Sequence, residues 1–297
     1  MMKKTIVHFI RMLSLALSGT IILPMNSRAD KLSKEKQAWI NQKPISFTEN
    51  KGQIIDERGN KCPDILFTAR LNKMDAYLTN NAIHYIFKKL NNPSALEKVN
   101  QLKNKPGFKQ EDVLKAYSNL KYTSYQLDMQ LLGANKNPKI IKENPIEEYQ
   151  NYFTSGINNG IRNVLSYNKI TYKEIYPNID FVIYSKEGKL EYDFVVKPGG
   201  KVSDIKIAYN GSTGIKKNNI GEIVIETPLG NIKEGTPYTY QEVCSNKKLV
   251  QSSFTVNKNN LGFAVSDYDK TQNLIIDPTL EWATYYGGSA YDYVHGV

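Results

Sequence analysis

Hydrophobic and polar residues alternate most clearly between residues 172 and 197. Apolar side chains occupy every second position from Ile179 to Ile183 and again from Leu190 to Val196, which is the period of a β-strand. The polar break between these runs, Ser-Lys-Glu-Gly at 185–188, predicts a type I turn closed by Gly188, because glycine adopts positive φ without a Cβ clash. The pattern predicts a β-hairpin with one apolar face and one acidic face, which needs further strands and a second layer for stability.

Shorter runs of β-forming residues continue through most of the chain, and turns rich in asparagine or glycine separate them. They lie at 65–69, 76–79, 82–88, 125–131, 205–209, 223–227, 238–242, 250–256, 261–265 and 274–276. Many short strands at short intervals favour an all-β fold over alternating β and α units. We therefore predict two antiparallel β-sandwich-like domains, at 45–135 and 151–279, joined by a charged, proline-containing linker at 136–150.

One segment breaks the β pattern. Residues 90–120 are rich in Lys, Asn, Glu and Gln, and their apolar residues recur at intervals of three and four. This spacing predicts one or two short surface helices inserted in the first domain. A basic amphipathic segment can contact a membrane or a partner, but a solvated insertion with one face on the sheet is the commoner arrangement.

The N-terminus has the three parts of a secretory signal. Basic Lys3 and Lys4 precede an apolar run at 12–23, and Ser-Arg-Ala at 27–29 follows it. These features predict a signal peptide at 1–29, cleaved after Ala29, and a polar leader at 30–44. The apolar run is short and interrupted by polar residues, so we expect no membrane span in the mature chain. We expect the protein to be secreted or held at the cell surface.

Charge and cysteine content bear on the possible partners of the protein and on its disulfides. The formal net charge is +10, and basic residues of the predicted signal peptide account for four of these charges. The lysines are dispersed instead of alternating with aromatic residues, so we expect no nucleic-acid binding.

Cys62 and Cys244 are the two cysteines, and they form either one disulfide or two separate buried thiols. Their wide separation gives no sign that they meet, which favours the thiols.

Catalytic motifs are scarce. Outside the predicted signal peptide the histidines are His84 and His295, and the sequence contains no phosphate-binding loop, dinucleotide fingerprint or nucleophile turn. We therefore predict that the protein is not an enzyme and has no cofactor and no metal. His84 is interpreted as a strand residue with a hydrogen-bonding partner.

The acidic face of the predicted hairpin is a first candidate binding surface. Glu191 and Asp193 share a strand face, and hairpin pairing brings Asp180 within reach of one of them. Such carboxylates are compatible with a glycosidase, or with calcium bound through hard oxygen ligands. The pattern favours a third interpretation, a solvent-facing polar side whose like charges are relieved by neighbours such as Lys189.

Tyrosine supplies a second candidate surface. The chain has 20 tyrosines, and Tyr238 and Tyr240 lie on one face of a predicted strand. Tyrosine combines apolar area with a polar tip, which suits contact with carbohydrate or protein. Strand propensity alone accounts for most of the tyrosines.

Five segments also stand out by their order along the chain. They are FTENKGQ at 47–53, NYF at 151–153, YPNID at 176–180, LEYDFVV at 190–196 and IDP at 276–278. Together they resemble the N-terminal region of exported bacterial proteins that carry SBBP-type β-propeller repeats. The resemblance extends over 45–297, although Ile161 and Leu165 replace an expected Trp and Pro. It implies export to the cell surface or the medium, and it brings no catalytic residues with it.

The C-terminal residues 280–297 resemble the start of a propeller repeat, because WATYYGG at 282–288 is similar to its first strand and glycine turn. A blade needs four strands, so we interpret this end as a truncated repeat, either in the gene or because the sequence is a fragment. We predict an exported, non-catalytic β-module that precedes a surface propeller and acts as a scaffold or in adhesion, with surface glycans or envelope proteins as partners. The alternatives are a secreted carbohydrate-active hydrolase that uses the acidic hairpin face and a calcium-stabilised structural domain.

Overall fold

The computed structural model describes residues 45–281, except 57, 72–73, 154–159, 245 and 258–259. This part of the chain forms antiparallel β-structure with two short α-helices, which confirms the predicted all-β class and the helical insertion. The predicted signal peptide at 1–29, the leader at 30–44 and the repeat-like segment from 282 onward lie outside the described residues.

The strands are short, and most of them follow the predicted runs. In chain order they are β1 (Phe47–Glu49), β2 (Phe67–Arg70), β3 (Met74–Leu78), β4 (Ala82–Leu90), β5 (Tyr122–Leu131), β6 (Lys139–Pro145), β7 (Gln150–Tyr152), β8 (Ile161–Val164), β9 (Ser166–Tyr176), β10 (Ile179–Lys186), β11 (Lys189–Val196), β12 (Ile207–Asn210), β13 (Gly214–Lys217), β14 (Ile223–Thr227), β15 (Gly230–Glu234), β16 (Tyr238–Val243), β17 (Asn246–Leu249), β18 (Ser252–Asn257), β19 (Asn260–Val265), β20 (Leu274–Asp277) and β21 (Leu280–Glu281). The helices are α1 (Pro93–Lys103), α2 (Gln110–Ser118) and a 3-10 turn (Val202–Asp204).

One sheet contains 15 of these strands. Its order is β17-β16-β20-β11-β10-β9-β1-β2-β3-β4-β5-β12-β19-β18, and β6 pairs with β9 beside this path. Strands of both predicted domains join in it, because β1 pairs with β9 and β5 pairs with β12. The predicted boundary at 136–150 therefore does not separate two sheets.

The predicted linker at 136–150 contains β6, and the sequence-based interpretation of this segment needs correction. Its charged residues suggested a loop, but they are paired with charges of other strands. Lys142 binds Glu49 of β1 at 2.8 Å, and Glu143 binds Lys169 of β9 at 3.2 Å. Because a strand edge tolerates such cross-strand pairs, a charged segment can form a strand without an apolar alternation.

β9 was also missed by the sequence analysis, although it is a central strand that pairs with β1, β6 and β10. Both of its faces contain buried side chains, among them Ile170 and Thr171 on consecutive positions. A strand covered on both sides shows no clean alternation of apolar and polar residues.

A second sheet of four strands has the order β13-β14-β15-β21, and β7 and β8 form a separate pair. Ile223, Ile225 and Ile232 of the four-stranded sheet are buried in the same hydrophobic cluster as Phe194 and Phe254 of the large sheet. The two sheets therefore share one core, which supplies the second layer that the hairpin requires.

The two α-helices are surface elements, as predicted. Each buries one residue, Val99 in α1 and Val113 in α2. The Lys103 ammonium lies 4.9 Å from the centre of the Tyr117 ring and connects the two helices. Among the helices of the described residues, none has the length and apolar character needed to cross a membrane.

Candidate functional site

The central hairpin forms as predicted, with one difference at its turn. β10 and β11 pair from Ile179 opposite Val196 to Lys186 opposite Lys189. The loop has only two residues, Glu187 and Gly188, with φ of 51° and 72°. Positive φ at both positions is the mark of a type I′ turn, whose twist matches that of the flanking strands better than the expected type I turn.

The strand registers place all five predicted site residues on one face of the large sheet. Directly paired residues of antiparallel strands point to the same face. Two rows of neighbouring side chains run from β10 through β11 and β20 to β16, namely Asp180–Val195–Ile275–Tyr240 and Val182–Asp193–Asp277–Tyr238. Glu191, which is opposite Tyr184, lies in a third row on the same face. We call this surface the acidic–aromatic face; the sequence had suggested two separate surfaces.

Asp180 is buried and not solvent-facing as expected, with 3% of its surface exposed. Its Oδ1 accepts hydrogen bonds from Lys197 Nζ at 2.7 Å and from the Glu174 backbone N–H at 2.9 Å, and Lys173 binds its Oδ2. Burial raises the pKa of Asp180, but the hydrogen bonds from Lys173, Lys197 and Glu174 outweigh it and hold this pKa below its usual range. Asp180 is therefore an ionised carboxylate that holds two lysines in place.

Asp193 has a different environment. Burial and, after it, the charge of the neighbouring Asp277 raise the pKa of Asp193 to about 7, although the Tyr184 hydroxyl donates a hydrogen bond to Asp193 Oδ1 at 3.1 Å. The charge of Glu191 adds to this effect, and Glu191 itself is buried. Burial also raises the pKa of Asp277. This row therefore contains a carboxyl group that is partly protonated at neutral pH, next to a second carboxyl group.

The three acids of the hairpin do not form one ligand group. Asp180 is occupied by its lysines, whereas Glu191 and Asp193 lie opposite Tyr184 and Val182. Across the described ranges, no group of three or more His, Cys, Asp or Glu side chains is arranged to hold a metal ion. The calcium alternative thus has no ligand group in that part of the chain.

Tyr238 and Tyr240 lie at one end of the acidic–aromatic face. Tyr238 is 43% exposed and Tyr240 is buried, and their ring centres are 5.4 Å apart. The Lys247 ammonium of β17 is 3.9 Å from the centre of the Tyr240 ring, and Leu249, which pairs with Tyr240, is 64% exposed. We call these four residues the β16–β17 platform. It offers an apolar, aromatic surface with one positive charge to a ligand.

A buried carboxyl group on the opposite side of β11 was not predicted. Glu234 of β15 is fully buried, and its Oε2 accepts a hydrogen bond from the Tyr192 hydroxyl at 3.0 Å, while the Tyr209 hydroxyl donates to Oε1. Burial raises the pKa of Glu234 to about 7 in spite of these two hydrogen bonds. Since Tyr192 and Tyr209 belong to the large sheet, Glu234 links the two sheets. A polar residue at a strand end gave no sign of this in the sequence.

The histidine and cysteine predictions have different outcomes. His84 Nδ1 lies 2.7 Å from Asp128 Oδ1 on the neighbouring strand, which confirms that His84 is a strand residue with a partner. Cys62 and Cys244 are free thiols, so the disulfide alternative is wrong. The thiols are also less buried than expected, because Cys62 is half-buried and Cys244 is exposed.

The FTENKGQ segment has a structural role. The Asn50 side-chain amide donates to the carbonyl oxygens of Cys62 and Ile65 at 2.9 and 2.7 Å, which closes the loop after β1. Glu49 is buried, and its carboxylate accepts a hydrogen bond from Lys142 of β6 at 2.8 Å. These residues therefore hold β1 and the following loop in the large sheet.

Comparison with known proteins identifies the family of the chain. A family described as a domain of unknown function (DUF7948) matches residues 47–279. No curated protein and no solved structure matches the chain. The matched range begins with β1 and includes the whole acidic–aromatic face and the β16–β17 platform. Since it covers more than half of the sequence, the chain belongs to the DUF7948 family.

Proposed function

We propose that this protein is an exported, non-catalytic β-module that precedes a surface β-propeller and serves as a scaffold or binding module. The predicted signal peptide at 1–29 and the five ordered segments that resemble exported propeller proteins support this proposal. A direct test of export is to identify the N-terminal residue of the protein recovered from outside the cytoplasm. Cleavage after Ala29 gives Asp30 as the first residue.

The exposure of the β16–β17 platform is the observation that carries the binding role. Tyr238 and Leu249 are 43% and 64% exposed on β16 and β17, where the large sheet ends. Exposed apolar side chains that lie next to each other and are bordered by polar residues are typical of binding sites. A tyrosine ring packs against the apolar face of a sugar while its hydroxyl group hydrogen-bonds, so surface glycans are the first ligand class and envelope proteins the second.

A glycan panel tests this role. Titration calorimetry of the mature chain against soluble polysaccharides should find at least one ligand, and Tyr238→Ala should weaken its binding. Tyr122→Ala is a matched control, because Tyr122 of β5 is 42% exposed and Tyr238 is 43% exposed. Equal effects of the two substitutions would refute the assignment of the platform.

One observation favours the hydrolase as a second candidate. Glycosidases use a pair of carboxyl groups, one of them a protonated acid, and Asp193 has a pKa of about 7 that the charge of the neighbouring Asp277 helps to raise. Hydrolysis of a glycan by the wild type but not by Asp193→Asn, with the same melting temperature for both, would support the enzyme. Absence of turnover on glycans that bind the platform would leave the non-catalytic function.

A further inference from the structure

A surface pocket lies on the β6–β9 side of the hairpin, at the opposite end of the sheet face from the tyrosines. Its volume is about 420 Å³, and it is lined by Asn135, Lys139, Ile141, Lys173, Glu174 and Lys197. Three of the six lining residues are therefore lysines, which come from β6, from β9 and from the residue after β11. This volume falls within the range of small-molecule sites.

The buried Asp180 fixes two of these lysines. Lys173 binds Oδ2 of its carboxylate and Lys197 binds Oδ1, which also accepts a hydrogen bond from the Glu174 backbone N–H. An ammonium group has three N–H donors, so each lysine retains donors for a further partner. Asp180 therefore fixes the position of two ammonium groups at the pocket. Because these lysine side chains are already ordered, a ligand that binds them pays less conformational entropy.

The third lysine gives the pocket its excess positive charge. Lys139 is directly opposite Lys173 in the β6–β9 register, and like charges in this position repel each other. Lys139 makes no ion pair with any described residue. With Asp180 and Glu174 counted against the three lysines, one positive charge is left over. An anion between Lys139 and Lys173 would relieve their repulsion.

We infer that this pocket binds an anionic group, a carboxylate or a phosphate, carried by a ligand of the size of one sugar unit. Carboxylate and phosphate oxygens accept hydrogen bonds from several ammonium groups at once, which a neutral ligand cannot do with equal strength. The opposing Glu174 carboxylate sets a limit on affinity. The inference depends on the lysines and the buried aspartate, and it does not require the β16–β17 platform to bind a glycan.

Titration of the mature chain by two-dimensional amide NMR with glucose, glucuronate, glucose 6-phosphate and inorganic phosphate tests the site. Glucuronate or glucose 6-phosphate should shift signals of β6, β9 and residues 197–200, and glucose should not. Inorganic phosphate alone distinguishes a site for the free ion from one that also needs the sugar. Saturation by glucuronate and glucose 6-phosphate at lower concentration than by phosphate would show that the sugar contributes.

Three variants test whether the charges that line the pocket determine anion binding. Lys139→Ala should weaken anion binding about threefold to tenfold. It should fold normally, since Lys139 is exposed and has no ion partner among the described residues. Glu174→Gln should strengthen binding, because it removes the opposing charge. Lys98→Ala on α1 removes the same charge elsewhere and should have no effect.

The inference is overturned if no anion shifts these signals, if glucose shifts them equally, or if Lys139→Ala and Lys98→Ala bind alike. The variant Tyr238→Ala distinguishes anion binding at the pocket from glycan binding at the β16–β17 platform. Loss of glycan binding by Tyr238→Ala with unchanged anion binding supports two independent sites. Anion binding that persists when no glycan binds the platform retains this inference and removes glycan binding from the proposed function.

Discussion

The buried Glu234 makes a quantitative prediction about stability and pH. The pKa of this carboxyl group is about 7 in the folded protein and 4.5 ordinarily. Between these values the folded state binds the proton more tightly than the unfolded state, so the free energy of unfolding falls as the pH rises from about 4.5 to about 7. The difference of roughly 2.5 pKa units corresponds to roughly 3 kcal/mol of stability that is present in acid and lost at neutral pH.

Glu234→Gln isolates this contribution. The amide fills the same volume, and its oxygen and nitrogen can both pair with the hydroxyl groups of Tyr192 and Tyr209, but it cannot ionise. Urea denaturation at pH 5 and pH 8 measures the free energy of unfolding of both proteins. From pH 5 to pH 8 the wild type should lose roughly 2 to 3 kcal/mol more than the variant. Asp193 titrates in the same direction in both proteins, so its contribution cancels.

An equal pH dependence in the two proteins would refute the reasoning, because Glu234 would then have the same proton affinity folded and unfolded. A variant that is less stable than the wild type at both pH values, by the same amount, would also contradict it. Such a result would mean that the carboxylate is stabilised by Tyr192 and Tyr209 as fully as by water.

Further substitutions test the hydrogen bonds and the packing. Asn50→Ala should lower the free energy of unfolding in urea by about 2 to 4 kcal/mol, because the carbonyls of Cys62 and Ile65 each lose a hydrogen bond. Tyr172→Phe should change it by less than about 1 kcal/mol, since this buried hydroxyl has no partner among the described residues, whereas Tyr192→Phe should cost about 1 to 3 kcal/mol. Gly211→Ala should lower the melting temperature more than Gly133→Ala. Both glycines have positive φ, but a Cβ at 211 would lie 2.6 Å from a carbonyl oxygen and one at 133 meets nothing within 4 Å.

The strands with the clearest alternation of apolar and polar residues were predictable from the sequence. The hairpin of β10 and β11 and the strand β5 have an apolar period of two, and the helical insertion has a period of three to four. The same pattern gave the common strand face of Glu191 and Asp193. The alternation could not predict that Asp180 is buried beneath Lys173. That contact exists only because β9 pairs with β10.

Non-local pairing explains the remaining differences. Tyr240 and Asp180 are joined through β20, which follows β16 in the chain but lies between β16 and β11 in the sheet. No local pattern encodes that insertion, so the acidic and aromatic surfaces were predicted as separate. Glu234 was missed for a related reason, since a polar strand residue is buried here only because two tyrosine hydroxyl groups of another sheet reach it.

The pairing of β1 with β9 also determines when this protein can fold. The Thr48 and Ser166 hydroxyl groups, 118 residues apart in the chain, are 2.8 Å apart across these strands. A strand at the start of the module therefore pairs only after one near its middle has been made, and β5 likewise pairs only once β12 is available. Such a topology has a high contact order and folds slowly. For the export proposed above, such a sheet has a direct consequence, because it cannot close until most of the module has been translocated.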